Sequence, residues 1–290
     1  MRVFVAGATG VIGRPLVAAL LAAGHEVTGM TRSRAAAEQL ASKGAEPVVS
    51  DAYDAEAARE AVVKAEPQVV VHQLTALPRA IDPRRIGEQL ADNDRLRVQG
   101  TRNLLRAAVL AGAGRLVAQS IAFAYAPVGG PVKGEDAPLW LDAFEPWRRS
   151  VRVIADLEHH VTTTPGIEGV VLRYGNLYGP ATAYAADGAV ADLVRARRYP
   201  IAGKGAGVYS FVHLDDAVAA TQAGAGVAGQ AHGGPLRRAP DDHAAWRRQH
   251  QGQADPRLGT DLPKLADRVP DRTRIGGARP VGDSEQVRRL

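Results

Sequence analysis

Residues 3–13 read Val3-Phe4-Val5-Ala6-Gly7-Ala8-Thr9-Gly10-Val11-Ile12-Gly13. A short apolar run of strand character breaks into three glycines, and a helix-periodic run to Ala23 follows. That is a strand feeding a tight turn into a helix N-terminus, where backbone N–H groups and the helix dipole hold a pyrophosphate. Gly7 permits the turn, Gly10 lets the backbone approach phosphate, and Gly13 lets the helix pack close to the sheet. Glycine triplets alone also serve ordinary turns, but here the strand before and the amphipathic helix after are both present. The stretch therefore predicts dinucleotide binding, with Gly7, Thr9, Gly10, Val11, Ile12 and Gly13 around the phosphates.

The Gly-x-x-Gly-x-x-Gly spacing with Ala-Thr inside it resembles the short-chain dehydrogenase/reductase superfamily. More narrowly it resembles the extended or atypical branch that includes the NAD(P)-dependent epimerase/dehydratases. The resemblance runs to about Thr221. It implies a doubly wound α/β Rossmann sheet in the strand order 3-2-1-4-5-6 with a small C-terminal substrate lobe. The expected organisation is a dinucleotide-binding core over 1–173, a substrate-side segment with the last core elements over 174–221, and an atypical tail over 222–290.

Bulk properties narrow the class. A chain of 290 residues buries a full core. With no cysteine there are no disulfides or thiolate metal sites, and no metal site is expected. The start runs straight into a strand, so a signal peptide is not expected, and the longest apolar runs are too short to span a bilayer. A cytoplasmic protein without membrane contact is the expectation. The net charge of +5 raises the question of nucleic acid, yet residues 222–290 alone hold 12 Lys and Arg against 8 Asp and Glu. No aromatic residues interleave with that charge to stack bases, so no nucleic-acid partner is expected.

Beyond the first helix, His25 to Met30 reads as a second strand ending in Thr31-Arg32-Ser33-Arg34. NAD-binding units place an acid about 20 positions past the glycines to hold the ribose 2′-OH. Arg32 and Ser33 stand there instead, and a guanidinium beside a hydroxyl suits a 2′-phosphate, which favours NADP over NAD. A helix over 34–42 and a strand over 47–51 follow, ending at Asp51. The resemblance gives Asp51 to the adenine, and capping of the helix near Asp54 is the structural alternative. Gln68 to Gln73 is an unbroken apolar strand of the kind a parallel sheet requires. The resemblance places Leu74, Thr75 and Ala76 after it along the cofactor ribose, while His72 reads as a core histidine.

One long helix is expected from Arg84 to Ala111, containing Gly100-Thr101-Arg102-Asn103-Leu104-Leu105, which matches the family's Gly-Thr-x-Asn-Leu-Leu. The Asn that relatives carry three residues earlier is Arg97 here. Arg115 to Gln119 reads as the fifth strand. By resemblance, Ser120 contacts a substrate carbonyl or hydroxyl, and Tyr125 belongs to a segment like the family's aliphatic-Tyr-Gly. Active relatives carry Tyr-x-x-x-Lys on the next helix, which is Pro146 to Val161 here. Glu158 fits the family glutamate four residues past the lysine, so Ser150 and Ile154 stand where tyrosine and lysine would be. Residues 146–165 contain neither Tyr nor Lys. Tyr125, Tyr174 and Tyr178 are the candidate substitute acids, and packing is the structural reading of each. Glu158-His159-His160 lacks the i, i+4 histidine pair of a helical zinc site.

Gly169 to Arg173 leads into Tyr174-Gly175-Asn176-Leu177-Tyr178-Gly179-Pro180, which resembles the family's Arg-Tyr-x-Asn-x-Tyr-Gly-Pro. The resemblance gives Tyr174 and Asn176 to the cofactor and Tyr178 to the substrate. Phe211-Val212-His213-Leu214-Asp215-Asp216 resembles its Phe-Val-His-Val-Asp-Asp, with Asp215 or Asp216 expected to cap a helix. After Gln222 neither hydrophobic period holds and no Phe or Tyr occurs. Two explanations stand for that tail, a diverged or natively disordered segment and a reading-frame change near Thr221. The expected function is an NADP-dependent oxidoreductase or epimerase-type enzyme acting on a small carbonyl or hydroxyl compound without the usual dyad. A non-catalytic NADP-binding sensor is the rival. The resemblance also implies a homodimer through the helices near 84–111 and 146–161.

Overall fold

The computed structural model describes residues 1–78, 85–199 and 208–227. Most of the expected atypical tail, from 228 onward, lies outside the described residues. The described residues belong to one compact unit spanning Met1–Gly233.

The unit is built on a six-stranded parallel sheet: β1 (Arg2–Ala6), β2 (Glu26–Thr31), β3 (Glu46–Val49), β4 (Val69–His72), β5 (Arg115–Ile121) and β6 (Glu168–Tyr174). The order is β3-β2-β1-β4-β5-β6, as the family resemblance implies. β1 lies between β2 and β4, with Val5 opposite Gly29 on one side and Val71 on the other. Its residues Val3 to Ala6 are at most 1 % exposed, because a central parallel strand is covered on both faces.

Side-chain alternation along β1 separates the two layers. Val3 and Val5 join one cluster with Leu16, Val17 and Leu20 of α1 (Gly13–Ala22). Phe4 and Ala6 join a second cluster with Val62 of α3 (Ala55–Ala65) and with Leu104 and Ala108 from the helix that precedes β5. Between these helices in sequence lies α2 (Arg34–Ala41), which is capped by Ser33.

The long helix expected between β4 and β5 is not uniform. It consists of α4 (Ile86–Arg95), a π turn at Leu96–Gly100 and α5 (Thr101–Leu110). A Cβ on Gly100 would lie 2.9 Å from Leu96 Cδ1, which would have to move, and 3.5 Å from Ala52 Cβ in the loop after β3, an ordinary contact. The 3.6-residue periodicity on either side does not reveal such an interruption.

α6 (Trp147–Thr163) returns along the sheet to β6. Past β6 the chain forms β7 (Asn176–Tyr178) and α7 (Ala189–Arg195), then β8 (Phe211–His213) and α8 (Leu214–Gly224). β7 and β8 pair in parallel as a separate two-stranded sheet. α8 folds back so that Leu214, Ala217 and Val218 complete the cluster on the α1 side. Its N-cap is His213, whose Nδ1 accepts from the Asp215 N–H at 3.2 Å, not Asp215 or Asp216 as the sequence suggests. Both aspartates instead occupy the first turn, where the helix dipole favours negative charge.

Candidate functional site

The C-terminal edge of the sheet gathers the loops where open α/β sheets bind ligands. At its centre is the turn after β1. Gly7 has φ +91°, and a Cβ there would lie 2.8 Å from the Gln73 carbonyl carbon at the end of β4. A Cβ on Gly13 would lie 2.0 Å from Gly7 O. Both positions therefore exclude any side chain, and the Gly10 N–H closes the turn onto Gly7 O at 2.9 Å. α1 begins here with no side-chain cap and no acidic residue in its first turn. This backbone cradle fits a pyrophosphate. Val11 is exposed and Thr9 half-buried beside it, whereas the Ile12 side chain is only 4 % exposed and packs into the core. The Ile12 side chain is thus a core residue, which leaves only its backbone to face the turn.

The tip of β2 presents Arg32 and Ser33, both exposed. Ser33 Oγ accepts the Ala36 N–H at 3.3 Å as the cap of α2, which leaves its hydroxyl hydrogen available. Among the described residues Arg32 and Arg34 have no hydrogen-bond or ion-pair partner. After β3, Asp51 Oδ1 accepts the Tyr53 N–H at 3.0 Å. The capping of α3 belongs to Asp54, which accepts from Glu56 and Ala57. Asp51 is thus held by its own turn, half-buried at the sheet edge.

The segment after β4 is fixed from two sides. The Leu74 N–H donates to His72 Nδ1 at 3.3 Å, and the Ala76 N–H donates to Asn93 Oδ1 at 2.9 Å. Thr75 between them is exposed. His72 is buried as the sequence suggests, with Nε2 lying 3.0 Å from Thr101 Oγ1. Since Nδ1 accepts, Nε2 carries the hydrogen and donates it to the threonine. Burial, reinforced by the neighbouring Arg97 cation, pushes the ring down to about 4.

Ser120 and Glu158 meet, but not as substrate contacts. Ser120 is 1 % exposed and its Oγ donates to Glu158 Oε1 at 2.6 Å. The same carboxylate takes a forked pair of bonds from Arg173, Nε to Oε1 at 2.9 Å and Nη2 to Oε2 at 2.6 Å. This corrects the expected role of Ser120, because a hydroxyl enclosed in that bond anchors β5 to α6 and does not present itself to a ligand. The Glu158 bonds, then burial against them and the Tyr125 hydroxyl, hold the Arg173 guanidinium above its ordinary range. Arg173 also donates to the Tyr125 hydroxyl at 3.0 Å and lies 4.9 Å over its ring. Tyr125 is half-buried at the end of β5, and of the three candidate tyrosines it is the one with a cation against its oxygen.

The other two tyrosines are placed differently. Tyr174 is 7 % exposed, and its hydroxyl lies 2.6 Å from Thr221 Oγ1 in α8. Burial pushes that phenol up. Tyr174 is corrected from cofactor contact to core, where it pins α8 to the sheet. Asn176 Nδ2 donates to Ser210 O at 3.3 Å, joining the two short strands. Tyr178 is 44 % exposed, packed edge-on to His213 at 5.0 Å, and stays open to the surface.

α6 carries Ser150 and Ile154 inward. Ile154 is 1 % exposed in an apolar cluster with Ile121, Ala124 and Val151. Ser150 Oγ donates to Asp94 Oδ2 at 2.9 Å, and burial pushes the Asp94 carboxyl up against the pull of that bond and of Arg97. Asp94 and Arg97 escape the sequence reading as site residues, although the Arg in place of the family's Asn was the visible signal.

Comparison with known proteins gives a consistent picture. The model of the NAD dependent epimerase/dehydratase family matches residues 3–225. The chain is 53 % identical over 224 residues to a Streptomyces protein named 3-diazoavenalumate denitrifying reductase, covering 77 % of this chain and 71 % of the relative. Its backbone resembles Thermus thermophilus UDP-glucose 4-epimerase in complex with NAD, with TM-score 0.62 and 25 % identity over 78 % of this chain and 74 % of the other. It also resembles a double mutant of the dTDP-glucose 4,6-dehydratase of Streptomyces venezuelae with NAD bound, with TM-score 0.61 and 26 % identity over 76 % and 70 % of the two chains. No helix among the described residues is long and apolar enough to cross a membrane.

Proposed function

The chain belongs to the NAD-dependent epimerase/dehydratase family, and within it we propose an NADP-dependent reductase that removes nitrogen from an aromatic diazo compound. The observation that carries this reading is the inner face of α6, where Ser150 is tied to Asp94 and Ile154 is sealed in an apolar cluster. Reducing a carbonyl leaves an alkoxide that an acid must protonate. When bound, the reduced nicotinamide supplies a hydride, and hydride plus an arenediazonium gives the arene and N2, two electrons passing as C–H forms and C–N breaks, with no proton consumed. A site for that reaction needs no tyrosine acid and gains nothing from a lysine cation facing a cationic substrate. The name of the Streptomyces relative, a reductase that denitrifies a diazo carboxylate, supports the same class.

The chain's own residues hold and orient. The Gly7–Gly13 backbone takes the pyrophosphate, Arg32 and Ser33 take a 2′-phosphate, and Leu74 to Ala76 form the wall beside the second ribose. The Glu158–Arg173 pair fixes the end of β5 against α6. The charges of that pair cancel, as do those of Asp94 and Arg97, so the reacting centre carries no uncompensated cation.

A second reading, reduction of a carbonyl with Tyr125 as proton donor, is favoured by the Arg173 guanidinium 3.0 Å from the phenol oxygen. One experiment separates the two. Purified protein is given NADPH carrying deuterium at nicotinamide C4, with a carboxylated arenediazonium or with a carbonyl panel. The proposed function requires deuterium in the arene and one N2 per NADPH, at rates well above the protein-free mixture and retained in Tyr125→Phe. Turnover of carbonyls alone, abolished in Tyr125→Phe, establishes the second reading instead. Absence of any turnover refutes both.

A further inference from the structure

Past β6 the chain leaves the carboxyl edge of the main sheet through Gly175, where a Cβ would lie 2.6 Å from Ser210 O. That close approach brings β7 and β8 together at the edge where open α/β sheets take ligands. Side chains alternate along these short strands. Leu177 and Val212 pack inward on the cluster of the α1 side. Tyr178, Phe211 and His213 therefore share the opposite face, with Tyr178 paired to His213 in the register. Their rings form one edge-to-face row. His213 meets Tyr178 at 5.0 Å and 71°, Tyr178 meets Phe211 at 6.5 Å and 75°, and Phe211 meets Tyr184 at 5.1 Å and 89°.

This row is open to the surface. Phe211, with no polar atom to satisfy, is 49 % exposed, and Tyr178, Tyr199 and Tyr209 are exposed as well. Burial, then the neighbouring Tyr199 and Tyr209 phenols, push the Tyr184 hydroxyl up to about 12, so near neutral pH that ring stays an uncharged phenol. The chain holds seven tyrosines and four phenylalanines, and four of the tyrosines and one phenylalanine fall within residues 178–211, so the rings are concentrated on this lobe. Exposed apolar patches of this kind mark binding surfaces. A ring presents partial negative charge on its face, which attracts a cation as well as a flat apolar partner. At the His213 end the exposed Asp215 carboxylate, 3.5 Å from Nδ1, adds negative charge. An arenediazonium is a flat ring carrying positive charge and meets both conditions, whereas a neutral arene gains only the apolar contact. We propose that Tyr178, Phe211 and Tyr184 form the binding face for the aryl ring of the substrate and select a cationic arene over a neutral one of the same shape. The choice of ligand rests on the diazo reading of the function above.

Binding titrations test it without turnover, using 4-(trimethylammonio)benzoate and 4-tert-butylbenzoate, unreactive probes of one shape that differ by a single positive charge. Both are titrated, with NADP+ present, into the full chain and into Phe211→Leu and Tyr178→Leu, which keep apolar bulk and remove the ring. The wild type is expected to bind the cationic probe roughly 2- to 30-fold more tightly, and Phe211→Leu to lose most of that preference while its NADPH affinity is unchanged. Where Phe211→Leu also loses NADPH, Tyr178→Leu decides by the same criterion. Equal affinity for the two probes in the wild type, or binding of neither, overturns the proposal. So does a preference that survives in both variants, which places the cation elsewhere. A dimer in light scattering that Phe211→Leu dissociates makes this face an interface between copies and overturns it too. Failure of the reaction is told apart from failure of the site: a ring-dependent preference without release of N2 refutes only the diazo chemistry, and release of N2 without a preference refutes only this face.

Discussion

Lowering the pH from 7 to 4.5 should expose the buried ring of His72. Nδ1 accepts the Leu74 N–H and Nε2–H points at Thr101, so a second proton would set two donors against each other. With its pKa pushed from 6.5 to about 4, the folded ring stays neutral while the unfolded one protonates. Between those values the unfolded chain binds more protons, so stability rises with pH through the window and is lost as pH falls through it. The full difference corresponds to roughly 3 kcal/mol, of which about 2 kcal/mol is lost between pH 7 and 4.5. Asp94, with its carboxyl pushed up, bends the curve the opposite way, so the observable is a difference between proteins. Urea unfolding of wild type and His72→Gln at both pH values supplies it. The variant will be less stable at pH 7, but its loss on acidification should be smaller by about 2 kcal/mol. Equal pH dependence in the two proteins would show that the ring is not held neutral and would sink the argument.

Three further outcomes follow from the geometry. Gly13→Ala should abolish dinucleotide binding and cost roughly 1–3 kcal/mol or more, because the new Cβ falls 2.0 Å from Gly7 O; calorimetric titration and thermal melts check both effects. Glu158→Gln should destabilise the chain by about 3 kcal/mol, leaving the Arg173 guanidinium without its forked partner, as read from chemical denaturation. Arg32→Ala should weaken NADPH by about tenfold and leave NADH within twofold; an equal effect on both would remove the assignment of the 2′-phosphate to this residue.

Most of the sheet was legible from local signals. The apolar runs mark the strands because each is covered on both faces, while their order came from the family resemblance carried by the glycine motif. The site was legible where it is made of backbone, as at Gly7 and Gly13, because a glycine there reports a steric demand directly. It was less legible where side chains choose distant partners. Ser120 and Glu158 are 38 residues apart, Tyr174 and Thr221 are 47 apart, and Asp94 and Ser150 are 56 apart. The Ser120 and Tyr174 hydroxyls looked available for chemistry because their type announces polarity and nothing in their neighbourhood announces the partner that consumes it. Asp94 escaped notice for the complementary reason, an acid on an otherwise polar helix with no motif around it.

The π turn has an effect that reaches beyond its five residues. One extra residue in a helical turn advances everything downstream by about 100° around the axis. Leu96–Gly100 thus acts as a phase shifter between two conventional halves, letting α4 direct Asp94 toward α6 while α5 keeps Leu104 and Leu105 in the core. The turn thereby sets the relative angle of the two halves. Any residue added or removed between them rotates either the polar pair or the apolar face out of place.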